Sequence, residues 1–316
     1  MLNFQAPKWL SGPHRQTTFP HLFRKKPFFH WFRERLELPN GDFIDVDTHI
    51  VSNKPIVILL HGLEGSSSSS YVYGAAYHFL SMGWGVVAYN LPSCGGSINR
   101  LPSYYHSGFT SDFRFLIQVL QQRYADQPLL GLGFSLGGNI LLRYAGEPNC
   151  LLSAAMAVST PIALSSSTHT LRHWQARFYE QRFLRLLKKK VTHKRKKLEE
   201  IGIVYDDVLK AKTLRLFDRH LTAPTFGFVD EEDYYQRAAS LPLFPYISIP
   251  TLLLQSYDDP MLSQECYPDP KTLNSNISCV YTQTGGHVGF VYGTPKKPRF
   301  FAEEEAERFF LRVFDT

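Results

Sequence analysis

Short apolar runs bounded by turn residues recur along the chain, at Ile56 to Leu60, Gly85 to Leu91, Leu129 to Phe134 and Leu152 to Ser159, then at Thr251 to Gln255 and Ser278 to Thr282. Unbroken runs of this length are the pattern of parallel strands buried on both faces. Between and after them, Tyr71 to Met82, Ser111 to Tyr124, Leu136 to Ala145 and Ala302 to Phe314 carry apolar residues at helical spacing, with Ser111 placed as an N-cap. Upstream, Leu36 to Val51 alternates apolar and polar residues around Asn40-Gly41, which predicts two antiparallel strands joined by a tight turn. Strands and helices in this order build, by right-handed crossovers, a doubly wound α/β fold whose mostly parallel central sheet begins with an antiparallel hairpin. One stretch breaks the alternation. From Ala163 to Leu241, Lys, Arg, Leu and aromatic residues recur at helical spacing without a buried-strand run. We therefore expect a core formed by residues 1–162 and 242–316, with an inserted helical lid at 163–241.

A length of 316 residues fits one such core with a large insertion. A hydrophobic fraction of 44% with 20% charged residues excludes a disordered, collagenous or coiled-coil chain. The longest apolar run, Leu151 to Leu164, spans 14 residues and is broken by Ser153, Ser159, Thr160 and Pro161, too short to cross a bilayer. Met1 to Thr18 lacks the apolar stretch of a secretory signal, so a cytoplasmic location is expected. Cys94, Cys150, Cys266 and Cys279 are widely spaced and suggest free thiols, neither a zinc site nor a disulfide framework.

The net charge of +6 is local: Leu171 to Glu200 holds 11 Lys and Arg against 3 Asp and Glu, and the rest of the chain carries 23 against 25. No nucleic-acid-binding motif accompanies these cations, and no nucleic-acid partner is expected. Within the segment, Phe178, Phe183, Leu184, Leu186 and Leu187 interleave with Arg177, Arg182, Arg185 and Lys188 to Lys190, and a further basic run follows at Lys194 to Lys197. Two readings follow: a helical cap with a solvated basic face, or a lid that makes peripheral contact with anionic membrane or substrate.

The sharpest chemical signal is Gly133-Phe134-Ser135-Leu136-Gly137, a G-x-S-x-G between an expected strand and an expected helix. A nucleophilic serine on such a strained turn requires glycine two positions away on each side, and the following helix turns its free N–H groups towards the developing negative charge. A dinucleotide loop built on Gly131 and Gly133 fails, because position 136 is Leu and no acid lies near position 150. After the run Thr251 to Gln255 stands Asp258-Asp259-Pro260, and after Ser278 to Thr282 stands Gly285-Gly286-His287-Val288-Gly289. Serine, acid and histidine thus follow one another in the chain order of an α/β hydrolase. His287 would take and return the Ser135 proton, held by a carboxylate. Asp259, immediately before Pro260, is the favoured acid, and Asp258 would then bind backbone N–H groups. The oxyanion hole would combine the backbone N–H of Leu136 with that of Leu63 in His61-Gly62-Leu63-Glu64-Gly65, while His61 fixes the turn. Serine, imidazole and backbone N–H groups supply nucleophile, base and electrophilic support, so neither a metal nor an organic cofactor is expected.

Taken together, Pro13-His14-Arg15-Gln16-Thr17, His61 to Ser66, Tyr105-His106-Ser107-Gly108, Gly133 to Asn139, Leu221-Thr222-Ala223, Asp233-Tyr234-Tyr235, Asp258-Asp259-Pro260 and Gly285 to Phe290 resemble the YheT-like branch of the α/β-hydrolase superfamily, also called the AB-hydrolase 4 family. The resemblance runs over nearly the whole chain. It departs at Pro92-Ser93-Cys94-Gly95-Gly96, where the family commonly has Arg-Gly-Cys-Gly or Arg-Gly-Cys-Ser. The family includes eukaryotic lipid esterases and yeast medium-chain ethyl ester synthases. It implies cleavage of carboxylic esters, medium-chain or lipid-like, by a serine hydrolase. The same residues would serve an acyl transferase or a thioesterase, and the rival from another class is an idle hydrolase fold that binds a lipid or a protein.

Overall fold

A computed structural model describes residues 4–314. The first long element is α1 (Pro13–Phe23), which the apolar pattern does not announce. It has no apolar stripe of helical period, and Pro20 lies inside it. Proline at its first position is preorganised for a helix start. β1 (Phe32–Glu37) and β2 (Phe43–His49) form the expected hairpin, with Gly41 at φ +83° in its turn. Then come β3 (Ile56–Leu60), α2 (Ser70–Ser81), β4 (Gly85–Asn90), α3 (Ser111–Arg123), β5 (Leu129–Phe134), α4 (Leu136–Ala145) and β6 (Ala154–Val158). Each agrees with its predicted run to within two residues at either end. Ser111 is a correction: it is the first helical residue of α3, Thr110 occupies the N-cap position, and the Ser111 hydroxyl turns to Asp112.

After β6 the chain leaves the sheet and returns at β7 (Thr251–Ser256). Between them lie α5 (Leu164–Thr170), α6 (Arg177–Val191), α7 (Arg195–Glu200), α8 (Tyr205–Lys210), α9 (Leu214–Phe217), a π-helical turn at Asp218–Thr222, α10 (Ala223–Phe226) and α11 (Glu231–Ala238). No strand occurs in this excursion. β8 (Ile277–Thr282) completes the sheet, and a small hairpin, β9 (Val291–Thr294) and β10 (Lys297–Phe300), precedes α12 (Phe301–Phe314). That hairpin is too short and too exposed to leave an apolar signature.

The eight strands stand in the order β1-β2-β4-β3-β5-β6-β7-β8. β2 pairs antiparallel with β1 and β4, and every other pair is parallel. Successive strand side chains point to opposite faces. Ile56, Ile58 and Leu60 accordingly join Phe113 of α3 and Ile140 of α4 on one side. Val57 and Leu59 join Phe79 of α2 and Phe310 of α12 on the other. The excursion has its own apolar core, which includes Tyr179, Leu184, Leu198 and Phe217 and reaches Met261, two residues beyond Asp259.

The basic segment is less uniformly solvated than its sequence implies. Arg177, Arg182, Arg185, Arg195, Lys196 and Lys197 are exposed, but two lysines between them turn inwards. Lys194 is only 3% exposed and donates to the Asn99 side chain and to the Leu101 and Ser103 carbonyls, and burial lowers its pKa to about 7. Lys190 is paired with Glu64. Among the described residues no helix is long and apolar enough to cross a membrane.

The loop after β3 is fastened to β4 by His61. Its Nδ1–H donates to the Gly62 carbonyl at 2.7 Å and its Nε2 accepts the Leu91 N–H at 3.1 Å, which fixes a neutral tautomer. Burial lowers its pKa to about 4. Because the unfolded side chain titrates near pH ~6.5, this histidine contributes stability above that pH and the contribution is lost as pH falls towards about 4. The shift corresponds to about 3 kcal/mol. His106, lowered to about 3 by burial, acts in the same direction. Urea unfolding of wild type between about pH 7 and 4 should show falling stability, and His61→Asn should start lower and fall less steeply. Parallel profiles for the two proteins would refute the assignment.

Candidate active site

Ser135 directly follows β5 and occupies the N-cap position of α4 with φ +52° and ψ −124°, a left-handed conformation that costs a non-glycine residue about 1–3 kcal/mol. The turn is crowded. A Cβ on Gly133 would stand 2.7 Å from the Gly137 carbonyl oxygen, and one on Gly137 would stand 2.4 Å from the His61 carbonyl oxygen. These contacts supply the physical reason for the glycines flanking the serine. The Ser135 N–H is held by the Val158 carbonyl of β6 at 2.9 Å, so the sheet itself sets the elbow.

The loops beyond β7 and β8 bring the other expected groups to Ser135. His287 Nε2 lies 2.9 Å from Ser135 Oγ, and His287 Nδ1 lies 2.8 Å from Asp259 Oδ2. The second Asp259 oxygen accepts the Met261 N–H at 2.8 Å. The Asp259 side chain is fully buried and that of His287 nearly so. Asp258 points elsewhere: its Oδ1 accepts from the Gly286 N–H at 2.8 Å and from the Ser256 hydroxyl. The two aspartates thus differ in what they hold, Asp259 the imidazole and Asp258 the loop that carries it.

In the loop after β3, the Gly62 N–H is taken by the Tyr71 hydroxyl, the Glu64 N–H by the Tyr105 hydroxyl and the Gly65 N–H by the Gly62 carbonyl. The Leu63 N–H is the one in this run without a partner among the described residues. A Cβ on Gly62 would stand 3.0 Å from Ser135 Cβ, so this loop passes directly against the serine. Leu136, the first residue of α4, has an N–H for which the helix offers no acceptor.

Ser135 and His287 stand where two recesses meet. One runs beneath the excursion, lined mainly by apolar atoms, with Leu136, Leu164, Leu171, Leu214 and Phe217 in its walls. The other opens between α1 and α6, past Leu22, Phe178 and Phe183, with Lys26 and Arg182 at its sides.

Several residues that hold this arrangement escape sequence reasoning. Thr17 of α1 accepts the His287 N–H at 2.9 Å, and Ser159 accepts the Val288 N–H at 2.9 Å. Gln16, wholly buried, accepts the Val291 N–H and donates to the Val291 and Leu10 carbonyls. Glycine is required at 286 and 289, where a Cβ would come within 2.4 Å of the Pro13 and Gln16 carbonyl oxygens of α1. Asn139 of α4 donates to the Ser107 and Ala238 carbonyls, and Tyr234 exchanges hydrogen bonds with Ser107. A signal is present in the motifs around Pro13, Tyr105 and Asp233, but those motifs do not state their partners.

The sequence profile of the α/β hydrolase fold family matches residues 55–294. YheT of Escherichia coli (strain K12) is 34% identical over 300 residues, covering 93% of this chain and 88% of that protein. Monoacylglycerol lipase of Saccharomyces cerevisiae (strain ATCC 204508 / S288c) is 31% identical over 270 residues, covering 83% of this chain and 60% of that longer protein. Among solved structures, the esterase Pf2001 of Pyrococcus furiosus superposes with a TM-score of 0.60 at 16% identity, covering 99% of this chain and 97% of that one, a likeness of fold. The chain belongs to the α/β-hydrolase superfamily and, within it, to the YheT-like branch, the AB-hydrolase 4 family.

Proposed function

We propose that the protein is a serine hydrolase that cleaves carboxylic esters with medium-chain or lipid-like acyl groups through an acyl-enzyme on Ser135. The observation that carries this reading is the line Ser135 Oγ, His287, Asp259, with contacts of 2.9 and 2.8 Å, at the mouth of an apolar recess. In the first half-reaction His287 Nε2 takes the Ser135 proton as Oγ attacks the ester carbonyl. The Asp259 carboxylate stabilises the imidazolium, and the Leu63 and Leu136 N–H groups donate to the carbonyl oxygen as its charge develops. The imidazolium then protonates the leaving alcohol. In the second half-reaction His287 takes a proton from water, hydroxide adds to the acyl carbon, and Ser135 departs reprotonated. No step requires a metal or an organic cofactor.

The excursion between β6 and β7 serves as the lid of this site. Leu164, Leu171, Leu214 and Phe217 suit an acyl chain, since each buried methylene is worth about 0.8 kcal/mol. A similarity to a yeast monoacylglycerol lipase supports a lipid-like ester. Around the other opening, Leu22 is 67% and Phe178 50% exposed, beside the cationic Arg182 and Lys26. Apolar side chains ringed by cations fit the surface of an anionic membrane.

A fluorophosphonate probe, which forms an O–P bond to an activated serine with loss of fluoride, should label wild type and neither Ser135→Ala nor His287→Ala. Labelling that persists in Ser135→Ala would contradict the nucleophile, and a folded wild type that resists the probe would favour an idle, binding fold. For the membrane reading, the protein should float with vesicles of anionic phospholipid at low salt and much less with purely zwitterionic ones, and Phe178→Ser should weaken flotation. Absence of binding to anionic vesicles at low salt would refute it.

A further inference from the structure

The loop that carries the Leu63 N–H is anchored on both sides. Before it, Gly62 is held by Tyr71 of α2 at 2.9 Å, a contact within the core. After it, Glu64 adopts φ +56°, a left-handed conformation unfavourable for a non-glycine residue, and is held by two side chains. The Tyr105 hydroxyl accepts the Glu64 N–H at 3.1 Å and donates to its Oε1 at 2.6 Å. The same Oε1 accepts from Lys190 Nζ at 2.7 Å, and Lys190 lies in the last turn of α6, in the excursion. The two charged side chains are only 10% and 6% exposed. Lys190 also donates to Cys94 Sγ at 3.1 Å, but burial pushes that thiol up to about 11, so it stays neutral and Glu64 is the anion that balances the lysine. Tyr104 fixes the other end of this contact by donating to the Lys190 carbonyl at 2.8 Å. Glu64 and Lys190 both line the apolar recess together with Ser135 and His287.

We propose that Glu64 and Lys190 are positioning residues for the ester hydrolysis: their buried ion pair docks α6 against the loop after β3 and sets the Leu63 N–H where the oxyanion forms. This inference rests on the serine-hydrolase reading of Ser135. Two physical effects are combined. Geometrically, Leu63 sits between two fastened neighbours, and releasing Glu64 frees one of them. Electrostatically, Glu64 brings a negative charge to the residue adjoining the oxyanion donor, where it would oppose the developing charge unless Lys190 neutralises it. A buried carboxylate that loses its partner is left uncompensated, whereas replacing both members of the pair by neutral residues removes that conflict.

The test is steady-state hydrolysis of a short, soluble p-nitrophenyl ester by wild type, Lys190→Met, Glu64→Gln and the double variant, with Lys190→Arg as the conservative change. Loss of a single oxyanion donor or a misplacement near 1 Å lowers kcat by factors on the order of 100. Lys190→Met should lower kcat by about 10- to 100-fold with KM changed less than about twofold. Lys190→Arg should retain most of the rate, and the double variant should recover part of what Lys190→Met loses, because removing both charges ends the electrostatic conflict while the loop stays released from α6. A merely structural contact predicts the opposite ordering, with the double variant no better than the worse single one. Lys190→Met with wild-type kcat, or a double variant without recovery, overturns the proposal. Should Lys190→Met not yield folded protein, Tyr105→Phe carries the test, because it deletes the hydroxyl that binds both the N–H and the carboxylate of Glu64; an unchanged kcat there overturns the proposal equally. The reading beneath it fails in a different way: wild type would be inactive, or Ser135→Ala would keep the activity.

Discussion

Everything at this site depends on one crowded turn. Ser135 is forced into a left-handed conformation between β5 and α4, and the turn closes only because Gly133 and Gly137, two positions away on either side, and Gly138 have no side chains. A side chain on Gly133 would meet the turn itself, but those on Gly137 and Gly138 would meet other parts of the molecule. Gly137 meets the carbonyl oxygens of Leu60 and His61, and Gly138 meets Thr160 after β6. The elbow is therefore packed against the ends of β3 and β6 at once, and the loop carrying Leu63 cannot shift without disturbing the serine. Local strain is tolerated because the surrounding sheet over-determines it. Position, more than any unusual group, is what the fold supplies.

The same economy shows in the histidine loop. Nothing in β8 alone would aim His287; the loop is strung between Asp258 and Ser159, in the loops after β7 and β6, and Thr17 and Gln16 from α1. An N-terminal helix thus fixes a side chain near the other end of the chain. The excursion plays a comparable part from the opposite side, where its apolar core reaches Met261 beside the acid and its α6 meets Glu64. Three separate segments converge on atoms that lie within hydrogen-bonding distance of one another.

This explains what can be read from the amino-acid order and what cannot. The sheet strands announce themselves because a strand buried on both faces, such as Ile56 to Leu60, must be apolar throughout. The serine turn is legible because its sterics demand glycine at fixed offsets. The distinction between Asp258 and Asp259 rests on Pro260 in the sequence, and the geometry gives the two side chains different partners. By contrast α1 has no apolar period, since its role is polar: Gln16 and Thr17 act through side-chain hydrogen bonds to residues far along the chain, which leave no periodic trace. The lysines of the basic run mislead for a related reason. Charge in a sequence looks solvated, yet Lys190 and Lys194 are buried against partners from distant loops, which only the folded chain identifies. Long-range polar pairing is the information that pattern and propensity do not carry.

The central claim, that Ser135 becomes transiently acylated, is tested most directly by mixing the protein with a short activated ester, quenching in acid within the first turnovers and mapping the adduct by peptide mass spectrometry. The account predicts one added acyl group on the peptide containing Ser135, absent in Ser135→Ala. Sustained hydrolysis with the acyl group on another residue, or with no covalent adduct at any quench time and no burst of released alcohol, would contradict it.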